Sequence, residues 1–264
     1  MLKFHILASG SRGNATVVEN AATGRGVLID CGICKRDFFA RCDEAGFDPA
    51  KLDAVLITHE HGDHTKGIGV TMHGLAKLGR RPAIYAAPAT LRASKPLQEI
   101  EETCDIHALA PEALVSAAGM SIFPFATSHD AAASFGFRFE ADGDAAGFMT
   151  DSGIVTDAAH AHLQDVRLLA LESNHDPRML REGPYPYVVK RRIASDEGHL
   201  SNEQAADELA ALLSTRLEAA AAMHISENNN EYDLAKQGFT AVVAREGHPA
   251  RIACGYQGRL TTLS

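Results

Sequence analysis

The chain has 264 residues, of which 45% are hydrophobic, enough for a large core, and its formal net charge of −9 argues against a surface that attracts nucleic acid over a wide area. Any phosphate binding must therefore be local. No apolar run approaches the roughly 20 residues of a membrane-spanning helix, and Met1-Leu2-Lys3-Phe4-His5 lacks the charge-then-apolar design of a signal peptide, so a soluble cytoplasmic protein without a membrane partner is expected.

Apolar patterning predicts strands at Leu2 to Ala8, Ala15 to Glu19 and Gly26 to Asp30, a helix from about Arg36 to Ala45 and a strand at Ala54 to Thr58. A histidine-dense motif follows at once. Helical spacing covers Thr65 to Leu78, Pro82 and Pro88 punctuate a strand at Ala83 to Ala86, and a helix runs towards Ile100. The middle is strand-rich, with Met120 to Ala126, Ser134 to Glu140 and Ala145 to Thr150 joined by turn residues such as Asp142-Gly143-Asp144. A helix at Val155 to Leu163, a strand at Arg167 to Leu171 and helices at about Pro186 to Ile193 and Asn202 to Leu213 precede a last buried strand ending at Met223. The Ala-rich stretch from Ala205 to Ala222 reads as one helix running towards that strand. Strands in two groups with helices outside predict one α/β domain over residues 1–264, a four-layer α/β/β/α sandwich with its sites where loops converge at strand ends.

Histidine is the compositional signal, with 13 residues, several of them beside Asp, Gly or Ser at predicted strand ends. In Thr58-His59-Glu60-His61-Gly62-Asp63-His64, His59 and His61 lie two apart on extended backbone and point the same way, while Asp63 and His64 come from the next turn. Four ligands converge from one short segment. Imidazole nitrogen and carboxylate oxygen suit zinc, iron or manganese, with a coordination position left for water. The five cysteines (31, 34, 42, 104 and 254) are odd in number and lack a framework spacing, which fits a reducing compartment. Cys31-x-x-Cys34 has no second pair after it and reads as part of a turn.

The sequence resembles the metallo-β-lactamase superfamily, and more closely its YycJ-like (WalJ-like) branch, through Leu7-Ala8-Ser9-Gly10-Ser11-Arg12-Gly13-Asn14, Ile29-Asp30-Cys31-Gly32, Thr58 to His64, Ser128-His129-Asp130, Thr150-Asp151-Ser152-Gly153, Glu172-Ser173-Asn174-His175-Asp176, Gly198-His199-Leu200-Ser201-Asn202 and His224-Ile225-Ser226. The resemblance implies the metallo-β-lactamase sandwich and two divalent metal ions. His129 would complete the first metal with His59 and His61, His224 would join Asp63 and His64 on the second, and Asp151 would bridge the pair. No ligand position is taken by Cys, a departure from the true β-lactamases.

Two cations sharing an oxygen bridge lower a bound water's pKa from about 15.7 towards 7 and clamp the attacked oxyanion, which defines hydrolysis. Asp63 would orient the bridging hydroxide. Similarity to the tRNA 3′-processing nucleases implies that Glu172 and His199 pair to protonate the leaving oxygen. Lys190-Arg191-Arg192 is either a phosphate-neutralising cluster near the metals or a solvated helical face, and His175 lies either at the active-site rim or in local structure. The Gly-Ser-Arg-Gly-Asn loop either offers N–H groups to an anion or makes a tight turn.

The resulting expectation is a hydrolase acting on nucleic acid as a phosphodiesterase, DNA before RNA, and through the branch a DNA exonuclease using Zn²⁺ or Mn²⁺, with iron also admissible. Thioester or lactone hydrolysis of the glyoxalase II or lactonase type shares the seven ligands but needs neither His199 nor the basic cluster. A catalytically silent nucleotide-binding regulator is the non-enzymatic alternative.

Overall fold

Buried apolar side chains sort into three separate layers, and enclosing three such layers takes four layers of secondary structure. The computed structural model describes residues 1–264. The first half supplies β1 (Leu2–Ala8), β2 (Ala15–Asn20), β3 (Arg25–Ile29), β4 (Leu52–Leu56), β5 (Ala83–Ala86) and β6 (Ile106–Ala108). The second supplies β7 (Val115–Ala117), β8 (Met120–Ala126), β9 (Phe135–Ala141), β10 (Asp144–Met149), β11 (Leu168–Glu172), β12 (Ala219–Met223) and β13 (Arg251–Cys254), after which β14 (Thr261–Leu263) returns to the first sheet. The sheets run β14-β1-β2-β3-β4-β5-β6 and β13-β12-β11-β10-β9-β8-β7.

Between the sheets lies a core in which Phe4, Phe137, Phe139 and Phe148 meet aliphatic side chains of both halves. Outside the first sheet pack α1 (Lys35–Glu44), α3 (Ile68–Lys77), α4 (Pro88–Ala93) and α5 (Lys95–Gln98), and outside the second α6 (Asp157–Leu163), α9 (Asn202–Leu212) and α10 (Tyr232–Arg245), while the short α2 (Gly62–Thr65), α7 (Pro177–Glu182) and α8 (Tyr187–Ile193) belong to the segments that follow β4 and β11. This is the expected α/β/β/α sandwich. No helix is long and apolar enough to cross a membrane.

Three expectations need correction. The helix predicted from Thr65 to Leu78 breaks at Gly67, where a Cβ would lie 1.9 Å from the carbonyl oxygen of Ile33, so the chain re-aims between α2 and α3. Met223 does not close the last strand: α10, β13 and β14 follow it. In α10, Ala235, Phe239, Val242 and Val243 are buried at helical spacing, whereas β13 and β14 are too short to carry a periodic signal. The Ala-rich stretch also divides, with α9 ending at Leu212 and Ala219–Met223 forming a parallel strand. Alanine's helical preference is overridden because β12 is buried on both faces, Ala219 and Ala221 against the inter-sheet core and Ala220 and Ala222 beneath the outer helices.

The register positions the site. Ile29 pairs with Leu56, Met149 with Leu171, and Glu172 with Met223, so the loops after β3 and β4 leave at one level, as do those after β10, β11 and β12. Ala221→Leu should overpack the inter-sheet layer and lower unfolding free energy by about 1–3 kcal/mol in urea titrations. An unchanged midpoint would mean that β12 is not held between close-packed layers.

Candidate metal centre

Three non-glycine residues at these strand ends adopt left-handed backbone: Asp30 (φ 57°), Asp151 (φ 58°) and His224 (φ 51°). The conformation is sparsely populated for residues with a Cβ and persists where surrounding structure imposes it. Here it turns each chain sharply, and all three side chains are buried in one cluster.

After β4, extended backbone carries His59 and His61 into this cluster with their ring centroids 4.6 Å apart, and α2 adds Asp63 and His64. The loop is clamped from behind. Cys31 N–H donates to the His64 carbonyl at 2.7 Å and Asn14 N–H to the Asp63 carbonyl at 2.8 Å. A Cβ on Gly32 would lie 1.5 Å from that Asp63 oxygen, so only glycine fits the approach. The Gly-Ser-Arg-Gly-Asn loop is thus a structural brace, held also by the Gln257 carboxamide, which accepts from Arg12 N–H at 2.8 Å.

All seven expected ligands come together. The side-chain donors of His59, His61 and His129 form one group within 4.8 Å of one another, and those of Asp63, His64 and His224 form another. His61 Nδ1 lies 3.3 Å from His129 Nε2, and Asp63 Oδ2 lies 3.6 Å from Nε2 of both His64 and His224. Asp151 stands between the groups, with Oδ2 3.4 Å from His64 Nε2 and Oδ1 3.4 Å from His224 Nε2 and 3.8 Å from His129 Nε2. Nitrogen and oxygen donors on one tetrahedral ion, each about 2.1 Å from it, sit about 3.4 Å apart, so these separations fit a shared cation. His59 Nε2, Asp151 Oδ2 and His224 Nε2 are moreover buried without a hydrogen-bond partner, which a cation would supply.

Outer contacts fix which nitrogen each ring presents. His59 Nδ1–H donates to Thr58 Oγ1 at 2.9 Å, the Thr58 hydroxyl donates to Asp30 Oδ2 at 2.8 Å, and His64 Nδ1–H donates to the same oxygen at 2.7 Å. His129 Nδ1–H donates to the Gly198 carbonyl at 3.0 Å. Asn14 Nδ2 lies 3.0 Å from His64 Nε2, a contact that a cation on that nitrogen would replace. Asp30 and Asn14 escaped assignment from sequence. Asp30 carried a signal, a carboxylate directly after the apolar run Val27-Leu28-Ile29.

Charge dominates the cluster. Burial pulls the His59 and His129 imidazoles below their ordinary pKa. Burial opposes protonation of His64 and His224 as well, but Asp151 with Asp30 and Asp63, or with Asp63 and Glu172, outweighs it and raises them to about 10 and about 9. Asp151 is held far below the usual carboxylate range, burial notwithstanding, by His224, His64 and the other rings.

Glu172 and His199 do meet. The Glu172 side chain is fully buried; Oε2 accepts from Ser152 N–H at 3.1 Å and Leu200 N–H at 3.0 Å, while Oε1 accepts from His199 Nδ1–H at 2.8 Å. His199 borders a cavity of about 270 Å³ together with Asp63, Asp151 and His224. Its ring is therefore oriented by one nitrogen, leaving Nε2 for the cavity. A larger cavity, about 870 Å³, opens between Ser116 and Arg216 and contains no histidine.

The basic cluster divides. Arg192 borders the metal cavity and donates to Asp130 Oδ2 at 3.0 Å, but Lys190 and Arg191 do not line it, since successive helical residues point about 100° apart. His175 is buried and lies off the cavity, beside Lys190 and Arg191 on the other flank of α8. Asp130 and Tyr185 also line the metal cavity; Asp130 lay in the Ser128-His129-Asp130 stretch without a role assigned to it, and Tyr185, in a Pro-flanked loop, left no signal. Cys31 is buried, with its thiol pushed up to about 12, and Cys34 is exposed, in keeping with the turn reading.

Without metal, His64 and His224 carry protons at neutral pH, and a cation must expel them. Metal uptake at pH 7 should release at least two protons per chain, those of His64 and His224, with a further one from the water that ionises on the metals, measured by calorimetry in buffers of different ionisation enthalpy, and affinity should rise with pH until about 9 to 10. Uptake without proton release would show that these two rings are neutral, not protonated, in the metal-free protein.

The family model described as "Beta-lactamase superfamily domain" matches residues 25–225, a span that contains every candidate ligand as well as Glu172 and His199. The chain is 35% identical over 236 residues to the exodeoxyribonuclease WalJ of Streptococcus pneumoniae serotype 2, covering 88% of this chain and 85% of that protein. It is 32% identical over 246 residues to the exodeoxyribonuclease YycJ of Bacillus anthracis, covering 93% and 90%. Among solved structures, the metallo-β-lactamase fold protein YhfI of Bacillus subtilis superposes with a TM-score of 0.72 at 16% identity over 99% of both chains, a likeness of fold.

Proposed function

The chain belongs to the metallo-β-lactamase superfamily and to its YycJ/WalJ-like branch, and from that premise we propose that it is a metal-dependent DNA exonuclease. The observation that carries this reading is the hydrogen bond between His199 Nδ1 and the buried Glu172 Oε1, 2.8 Å long, at the edge of the His/Asp cluster. Hydrolysis of a thioester, whose thiolate leaves without a proton, does not call for such a proton donor.

His59, His61 and His129, Asp63, His64 and His224, and Asp151 would hold divalent cations, which when bound would supply a hydroxide nucleophile at neutral pH and neutralise the attacked phosphate. The nitrogen and oxygen donor set suits Zn²⁺ or Mn²⁺, and iron is also admissible. Asp63 borders the cavity and accepts a hydrogen bond from the attacking water, orienting it. Arg192 turns from Asp130 to the phosphate, a bidentate partner for its oxygens. His199 in its protonated form donates Nε2–H to the departing sugar oxygen, and Glu172 is a positioning residue that holds the ring and stabilises its positive charge. The cavity is slightly smaller than the about 300 Å³ at which ligand pockets begin, which suits one terminal nucleotide rather than the body of a duplex.

With Mn²⁺ or Zn²⁺ added, purified protein should degrade linear DNA to mononucleotides from an end and leave closed circular DNA intact. Hydrolysis of thioesters with no cleavage of any phosphodiester would reject the reading. His199→Ala should keep its metal yet lower kcat on DNA by about 100- to 10,000-fold. The loss should be far smaller on bis-p-nitrophenyl phosphate, whose leaving group needs no proton. Equal losses on both substrates would show that His199 acts in some other way.

A further inference from the structure

Fourteen residues line the metal cavity, and the three apolar ones among them, Tyr185, Val189 and Ile193, all come from the segment that leads into and forms α8. They recur every four residues. Val189 and Ile193 therefore share one face of the helix, and Tyr185, directly before the Pro186 cap, continues the stripe. Every other lining residue is polar or charged, so the cavity has a single apolar wall among metal ligands and other polar groups.

Tyr185 is held firmly in that wall. Pro184 and Pro186 fix the backbone on either side of it, and the loop is seated by close contact at Gly183, where a Cβ would lie 2.7 Å from both the Met179 carbonyl oxygen and Oδ1 of the fully buried Asn229. Asn228 Nδ2 donates to Tyr185 Oη at 2.8 Å, and Asn228 does not line the cavity. The hydroxyl is thus tied outside, which leaves ring carbons for the cavity. Apolar surface left against water is unfavourable, so a wall of this kind suits a ligand that covers it and not a bare inorganic anion. The fitting ligand is two-sided, an anion joined to a flat apolar body, and a nucleotide has that form.

We infer that the wall seats the base and deoxyribose of the nucleotide adjoining the attacked phosphate, the base stacked on the Tyr185 ring and the sugar against Val189 and Ile193, with the phosphate between Arg192 and the metal ligands. This rests on the DNA exonuclease reading and adds the groups that hold the end of the substrate. Stacking on tyrosine tolerates every base, since each has a π-face, so the site takes any sequence. A duplex end enters by opening its terminal pair, and the platform offsets part of the cost of unstacking that base. The cavity, about 270 Å³, takes one nucleotide of the pair and leaves its partner outside.

The test is titration calorimetry of the Zn²⁺-loaded full chain with 2′-deoxyadenosine 3′,5′-bisphosphate, which offers a phosphate on either side of its base, and with the same bisphosphate lacking the base. The wild type should bind the nucleotide about tenfold more tightly, Tyr185→Phe should keep that margin, and Tyr185→Ala should bring the two affinities together. In cleavage assays, a linear duplex with mismatched terminal bases is compared with one whose terminal residues are abasic, neither of which has a pair to open. The abasic ends should lower the wild-type kcat/KM about tenfold and that of Tyr185→Ala far less. Equal wild-type affinities for the two bisphosphates would overturn the inference without any variant having to fold, and a Tyr185→Phe variant as impaired as Tyr185→Ala would overturn stacking in favour of the hydroxyl. If the wild type cleaves DNA and the base makes no difference, the exonuclease reading stands and the wall alone fails. If it cleaves no DNA, the exonuclease reading fails, and the calorimetry still decides whether the wall takes a base.

Discussion

A carboxylate buried to 1% exposure among imidazoles is the constraint around which this molecule is arranged. Asp151 lies within 3.8 Å of nitrogens from His64, His129, His199 and His224, contributed by both halves of the chain. A buried anion without compensating charge costs several kcal/mol, so its neighbours must supply positive charge either as protons or as bound cations. The protonation pattern of the rings answers the first demand, and the orphaned nitrogens at His59 and His224 anticipate the second. Folding, proton binding and metal binding thus draw on the same few atoms.

The sandwich serves that cluster by ending its strands in register. The parallel parts of both sheets finish at one edge of the molecule, and the strained turns at Asp30, Asp151 and His224 fold their side chains into the gap between them. A second tier stands behind the first. Asp30 and Thr58 hold His59 and His64, Gly198 holds His129, and Glu172 holds His199, so each ring meets the cavity with a defined nitrogen. The geometry needed for proton transfer is then set by buried backbone, chiefly the N–H groups of Ser152 and Leu200 on Glu172, before any substrate arrives.

Much of this was legible in the residues. Alternation and apolar runs located most strands and the four-layer arrangement, and the Thr58 to His64 motif announced a metal site because the spacing of its histidines on extended backbone leaves little other use for them. His129, Asp151 and His224 became legible only through the family resemblance, since a single histidine after a strand has many structural uses. What escaped was set by tertiary context: the Ala-rich helix stops at Leu212 and leaves four alanines to the buried strand β12 because two packed layers demand small side chains there, and the break at Gly67 follows from the carbonyl of Ile33, distant in sequence. The division of Lys190, Arg191 and Arg192 between two flanks of α8 likewise depends on where the helix sits, which charge patterning alone does not specify.

Anomalous-difference maps from crystals grown with Zn²⁺ or Mn²⁺ probe the central claim most directly. The account predicts two peaks in contact with Asp151, one among His59, His61 and His129 and the other among Asp63, His64 and His224. A single peak, or metal bound only at other residues with Asp151 still paired to protonated imidazoles, would contradict it.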